Sequence, residues 1–317
     1  MKLSLSSDET LCVATLVYYG LLSNAALVAS EVWRWQINEK GEQSRVSLYA
    51  ITQSLHSLVQ KNIIREYNGF YSLASHNQPS YAQRMRAIIT TGQKWSIARR
   101  KAFFLPYIPF VRSVRVIGSL PLATTRATSD IDISIGSARS HLWTARAFTL
   151  LVAHLLGVRR YHDRSVNRLC FNHYLGVSGV RIEQSSSSQV GHILSKTLFH
   201  ITYQSAVVWS KNQTVPLPLV RTPNSFLLSV KDWCERFLSV TGLDSFLERH
   251  LCALQIRHIQ NHSLYSKELS SLSLETHHLV FSYQKIADTE QQFQYAMQML
   301  LSQISAREEL GPHNKIV

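Results

Sequence analysis

The sequence predicts an α+β protein: a helical N-terminal domain closed by a hairpin, a central α/β domain with a mixed sheet, and a helical C-terminal region. Three observations carry this. Apolar residues recur at helical spacing over the first sixty residues and again after residue 223. Asn68-Gly69 sits between short apolar runs, a strong hairpin signal. In the middle, Val116-Ile117-Gly118-Ser119 is followed, ten residues on, by Asp130-Ile131-Asp132-Ile133-Ser134-Ile135. That stretch reads as strand, tight turn and second strand, with two carboxylates alternating with isoleucines.

In order along the chain, residues 8–20 read as a helix opened by Asp8 and Glu9, and 24–36 as a second helix with Asn24 as its cap. Residues 47–62 give a third, with Leu48, Ile51, Leu55, Leu58 and Val59 on one face. The hairpin Ile63–Leu73 follows. A basic helix over 79–105 carries Arg84, Arg86, Lys94, Arg99, Arg100 and Lys101, and Pro106 ends it. Strands are expected at 113–118 and 130–135, a helix at 140–157, and strands at 169–175 and 180–184. The serine run 185–188 reads as a loop, and 193–209 as mixed and then helical. Helices close the chain near 224–240, 244–262 and 280–305. The expected domains are therefore 1–76, a connector at 77–109, 110–222 and 223–317.

The chain has 317 residues, enough for two or three domains. Apolar content of 45% and charged content of 17% exclude a disordered chain. Cys12, Cys170, Cys234 and Cys252 are scattered, which argues against a zinc or disulfide framework and for a reducing compartment. The uncharged stretch 10–30 is interrupted by Tyr18, Tyr19, Gly20, Ser23 and Asn24, so it suits two short helices better than a membrane span. Asp8 and Glu9 precede it where a signal peptide would be basic. A cytoplasmic protein without a membrane partner is expected.

The net charge of +13 is unevenly spread. Residues 1–100 hold 11 basic and 6 acidic residues, 101–222 hold 14 and 4, and 223–317 hold 8 and 10. The excess gathers around the carboxylate motif, a pattern that suits polyanions such as triphosphates or nucleic acid. A generically basic surface is the alternative.

Residues two apart on a strand share a face, so Asp130 and Asp132 project together. Their repulsion costs free energy unless a cation offsets it. Mg2+ (or Mn2+) suits two carboxylates and keeps coordination positions for phosphate oxygens. Gly118-Ser119 offers backbone N–H groups at a turn where an anion can approach.

Gly118, Ser119, Asp130 and Asp132, with Ser129-Asp130-Ile131-Asp132-Ile133, resemble the signature of the DNA polymerase beta-like nucleotidyltransferase superfamily, in its small minimal-type members. The resemblance implies transfer of a nucleoside monophosphate from an NTP to an acceptor hydroxyl on a protein, RNA or small molecule. It implies two metal ions roughly 3.5–4 Å apart. It also implies a third carboxylate on a later strand, for which Glu183 is the candidate. Arg181 shares the strand face of Glu183, so an exposed ion pair is the other reading. Asp163, in a polar loop, is the weaker candidate. Arg146, on the helix after the Asp strand, is expected to reach triphosphate, since a guanidinium fork fits phosphate. Leu120–Arg126 departs from the Ala-Arg-Gly common after Gly-Ser in minimal members. His277-His278 reads as a surface pair.

The three helices and hairpin of 1–76 resemble a winged helix-turn-helix domain. That implies a recognition helix at 47–62, with Arg45, Tyr49, Gln53 and Lys61 facing a groove and Arg65 flanking the wing. Such domains also serve as protein-interaction modules, so a nucleic acid and a protein both remain as partners. If no third acid reaches the carboxylates, the alternative is a nucleic-acid-binding regulator or antitoxin-like protein that binds nucleotide without turnover.

Overall fold

Residues 5–23, 25–40, 44–74, 81–138, 140–161, 164–177, 196–200, 223–261, 278–280 and 283–309 are described by the computed structural model. Glu183, the 180–184 strand, the serine run, Asp163, Arg181 and His277 lie outside them. The protein is mixed α+β, with helices and two small sheets.

Contacts divide the chain into two units: 1–88 with 184–194 and 284–317, and 89–183 with 195–283. The region 223–317, expected to stand as one helical domain, is thus shared between them. The unit boundary also falls inside the basic connector helix.

In the first unit, α1 (Ser7–Ser23) leads to a two-residue strand β1 (Leu27–Val28) and the short α2 (Ala29–Arg34). α3 (Leu48–Gln60) is capped by Ser47, whose hydroxyl accepts from Ala50 N at 3.2 Å. The hairpin β2 (Ile64–Tyr67) and β3 (Phe70–Leu73) turns at Asn68 and Gly69, both at positive φ. The antiparallel sheet has the order β1-β3-β2. Residues 24–28 were expected to open a helix; instead Leu27 and Val28 pair with Tyr71 and Phe70, and pairing with the hairpin overrides local propensity. Ile51, Leu55 and Leu58 of α3 are buried, as their spacing requires.

α4 (Tyr81–Lys101) ends before a 3-10 turn at Leu105–Tyr107. The second unit is then built on β4 (Val111–Val116), β5 (Ile131–Ala138), α5 (Leu142–Leu155), β6 (Leu169–Val177), β7 (Lys196–His200), α6 (Ser225–Val240), α7 (Leu243–Asn261) and β8 (His278–Val280). α8 (Tyr283–Glu309) closes the described chain. The sheet order is β7-β4-β5-β6-β8. β5 and β6 are parallel and the other pairs antiparallel, so the sheet is mixed. β7 falls where mixed and then helical structure was expected, and its pairing with β4 is a long-range contact that local pattern does not encode.

Ile131, Ile133 and Ile135 are wholly buried in one cluster with Leu169, Phe171, Tyr174, Trp143 and Ala145. α5 and α7 cover this face. Glu248 of α7 accepts from Trp143 N at 2.9 Å and Thr144 N at 2.8 Å. It places a carboxylate on the orphan donors at the start of α5. With the isoleucines committed to this core, Asp130 and Asp132 are turned to the other face.

Candidate functional site

Strand pairing brings the two halves of the motif together. β4 runs antiparallel to β5 with Val116 opposite Ile133, and Ile117 N donates to Asp132 O at 3.0 Å. The chain then leaves the sheet at Gly118 with φ +75°. A Cβ there would lie 2.6 Å from Asp132 Oδ2, so only glycine lets the turn sit against this carboxylate. Ser119 follows, half-buried, its carbonyl accepting from Thr124 N at 3.1 Å.

Asp130 stands one residue before β5. Its neighbours hold it: Asn167 N donates to Ser129 O at 3.1 Å and Ile131 N to Arg168 O at 2.8 Å. The Ser129 hydroxyl bonds the Thr125 hydroxyl at 2.7 Å and donates to Arg126 O at 2.8 Å, bracing the loop. Lys94 of α4, buried, donates to Ser129 O. Burial depresses the Lys94 pKa, and the nearby Asp130 charge opposes that shift.

On β6, Cys170 is the register partner of Asp132. One step on, pairing slips between Ile133 and Ser134, whose partners are Phe171 and His173, leaving Asn172 as the extra residue. Bulges re-aim side chains, and Asn172 Nδ2 donates to Asp132 Oδ1 at 3.3 Å. Ser134 and His173 Nδ1 meet at 2.6 Å on the next rung.

Asp130, Asp132 and Cys170 each offer a ligand atom, all within 4.8 Å of one another. The two carboxylates fit a hard cation such as Mg2+ or Mn2+; the thiol does not. Burial, then the charges of Asp132 and Asp130, push the Cys170 thiol up to about 12, so it remains protonated at neutral pH. Arg160 adds a cation to the cluster, its Nη1 donating to Asp130 Oδ2 at 2.6 Å and lying 3.7 Å from Cys170 Sγ. The protein thus partly offsets the paired negative charge from its own side chains.

Gly118, Asp130 and Asp132 therefore converge, with Ser119 at the same turn. Arg146 does not join them. It bonds Gln255 of α7 and lies 5.7 Å from the Tyr174 ring centroid. Tyr174 is the register partner of Ile135, so Arg146 occupies the helix-covered face opposite the carboxylates. Its helical position was legible, but the face it serves depends on which side α5 packs.

In the first unit, Arg45, Tyr49, Gln53 and Arg65 are exposed. Lys61, expected beside them, folds back onto Glu9 with Nζ at 2.7 Å and is mostly buried. It ties α3 to α1 rather than facing a groove.

Sequence reading missed Lys94, Arg160, Cys170 and Asn172. Their only signals were one basic residue in a basic helix, the Arg159-Arg160 pair, and a strand whose register is invisible before folding. No protein-family signature, curated protein or solved structure matches the chain. Among the described residues, no helix is long and apolar enough to cross a membrane.

Proposed function

We propose that the second unit is a polymerase beta-like nucleotidyltransferase domain that moves a nucleoside monophosphate from an NTP to an acceptor hydroxyl. The carrying observation is the contact of the Gly118 turn with Asp132. It supports this reading because a glycine turn that can offer backbone N–H groups to a triphosphate would then lie beside a carboxylate pair suited to a hard cation. Asp130 and Asp132 would hold Mg2+ or Mn2+, which when bound neutralises phosphate charge. Gly118 permits close approach of the phosphates, and Ser119 binds a β- or γ-phosphate oxygen. Lys94 and Arg160 add positive charge on the same side. Positioning and charge account for most of phosphoryl-transfer catalysis, and these residues would supply both; Glu183 is the candidate for the third carboxylate that the resemblance implies.

The test is transfer of a labelled nucleoside monophosphate in Mg2+ or Mn2+. Asp130→Asn and Asp132→Asn each abolish labelling while the circular dichroism spectrum is retained. Equal labelling by these variants would refute the proposal.

A second reading has its own support. Cys170 stands on the neighbouring strand beside Asp132 as a protonated thiol, not a carboxylate, and Arg160 engages Asp130. Both favour a domain that binds nucleotide without transferring it. In that reading the first unit does the work as a winged helix-turn-helix regulator or an antitoxin-like partner protein. The order α1-β1-α2-α3-β2-β3 and the exposed Arg45, Tyr49, Gln53 and Arg65 support it. Nucleotide binding by equilibrium dialysis with no label transfer to any acceptor would select this reading.

A further inference from the structure

α6 is turned inside out. Two of its charged side chains, Lys231 and Glu235, point into the unit. The Lys231 side chain is fully buried, Nζ donating to Pro106 O at 3.2 Å and Val111 O at 2.5 Å. Glu235 accepts from Phe110 N at 2.6 Å and from both Arg112 Nη atoms at 2.9 and 2.7 Å. Its aromatic side chains point outward: Phe226 is 72% exposed, Trp233 66% and Phe237 51%. Val230 and Val240 are exposed with them. These five recur at i, i+4, i+7, i+11 and i+14, a single stripe along the helix. Trp233 and Phe237 stack on each other with centroids 5.9 Å apart. Leu243 and Phe246, just past the Gly242 turn, are also exposed.

We propose that this stripe is the contact by which two copies of the chain form a two-fold dimer, α6 packing antiparallel on its mate. Area is the first argument. The stripe and its neighbours present on the order of 600 Å² of apolar surface, more than a monomer ordinarily leaves open. With a polar rim that reaches the ~800 Å² per partner of a stable interface. Charge is the second. Copies of a chain with net charge +13 repel across most faces. The stripe is made of uncharged side chains alone, since Lys231 and Glu235 are turned inward and Arg236 is the exposed charge of α6 beside it. Two copies meet there through side chains that carry no charge of their own. Symmetry is the third. Trp233 lies midway between Phe226 and Val240, so a two-fold axis at Trp233 sets each end of the stripe on the other end of its mate. A nucleic acid would need cations on the stripe, which carries none; a lipid surface would need a basic rim, where α6 exposes Arg236, and co-sedimentation with vesicles decides that case.

Sedimentation equilibrium of the full chain over a wide concentration range tests this. The expected species has twice the 36.1 kDa of one chain. Trp233→Glu combined with Phe237→Glu weakens the dimer by on the order of a hundredfold or more, since buried aromatic anchors dominate interfaces. Both side chains are exposed in the monomer, so the variant keeps its circular dichroism spectrum. Trp233→Cys in a chain also carrying Cys234→Ser gives a covalent dimer on mild oxidation. A wild-type monomer at every concentration, an undiminished dimer in the double variant, or its unfolding would each overturn the proposal. So would co-sedimentation of the stripe, lost in the double variant, with vesicles of anionic lipid.

Discussion

The backbone of Gly118 is pressed against the carboxylate of Asp132: a methyl group on that glycine would come 2.6 Å from Oδ2. A side chain added at position 118 must therefore displace either the turn or the Asp132 carboxylate. Gly118→Ala meets both the contact and a φ of +75° that L residues rarely adopt. We expect a loss of about 1–3 kcal/mol in stability, by urea denaturation. Mn2+ binding measured calorimetrically falls with it, because Asp132 must turn away. Unchanged Mn2+ affinity would show that the contact is incidental.

Cys170 faces the carboxylate pair from β6 with a thiol that burial keeps protonated. Replacing it with a carboxylate supplies a third hard ligand. Cys170→Asp is expected to raise Mn2+ affinity by at least about tenfold, since one added unit-charge interaction is worth about 1 kcal/mol in water and about 4 kcal/mol near a protein surface. Arg160→Ala, which removes the guanidinium from Asp130, shifts affinity in the same direction. If neither variant changes calorimetric Mn2+ binding, Cys170 and Arg160 do not border the cation.

Burial lowers the Lys231 pKa to about 7, with Glu235 raising it and Arg112 lowering it. The folded chain thus binds fewer protons at this site than the unfolded chain between pH 7 and the ordinary lysine range near 10.4. Stability must rise with pH there. Between pH 7 and 9 the gain from this residue is about 2 kcal/mol. Lys231→Met removes that slope, which urea titrations at several pH values would detect.

Glu9 is buried, which raises its pKa, but bonds from Lys61, Ser57 and Ser6 outweigh that and hold the carboxyl below its ordinary value. Lys61→Ala is expected to cost about 1–3 kcal/mol of stability, the worth of charge-assisted bonds in a part-buried setting. The sign is that of a depressed carboxylate: this contribution is present above the unfolded glutamate pKa and lost as pH falls through the folded value.

If the first unit binds nucleic acid, Arg45→Ala and Arg65→Ala each lower the slope of log affinity against log salt by about 0.9. Lys61→Ala leaves the slope unchanged. A slope that follows Lys61 instead would place the contact elsewhere.

Much of this was legible before folding. Asp130-Ile131-Asp132-Ile133 fixed which residues are buried and which project, because strand alternation is a local rule. Asn68-Gly69 located the hairpin for the same reason. Leu27 and Val28 were misread as helix, since their strand exists only through Tyr71 and Phe70, more than forty residues away. Arg146 was assigned to phosphate because it lies on the next helix, yet α5 packs on the isoleucine face.

The sequence by itself determined the carboxylate pair, the glycine turn, the helices and the concentration of positive charge, all encoded by neighbours along the chain. Tertiary structure decided what stands around the pair. It put Cys170 and Asn172 beside Asp132 through a parallel register with a bulge, and Arg160 against Asp130. It also turned Lys231 and Glu235 of α6 inward and its aromatics outward. Register and helix facing are set by packing between segments far apart in sequence, so no local pattern could have announced them.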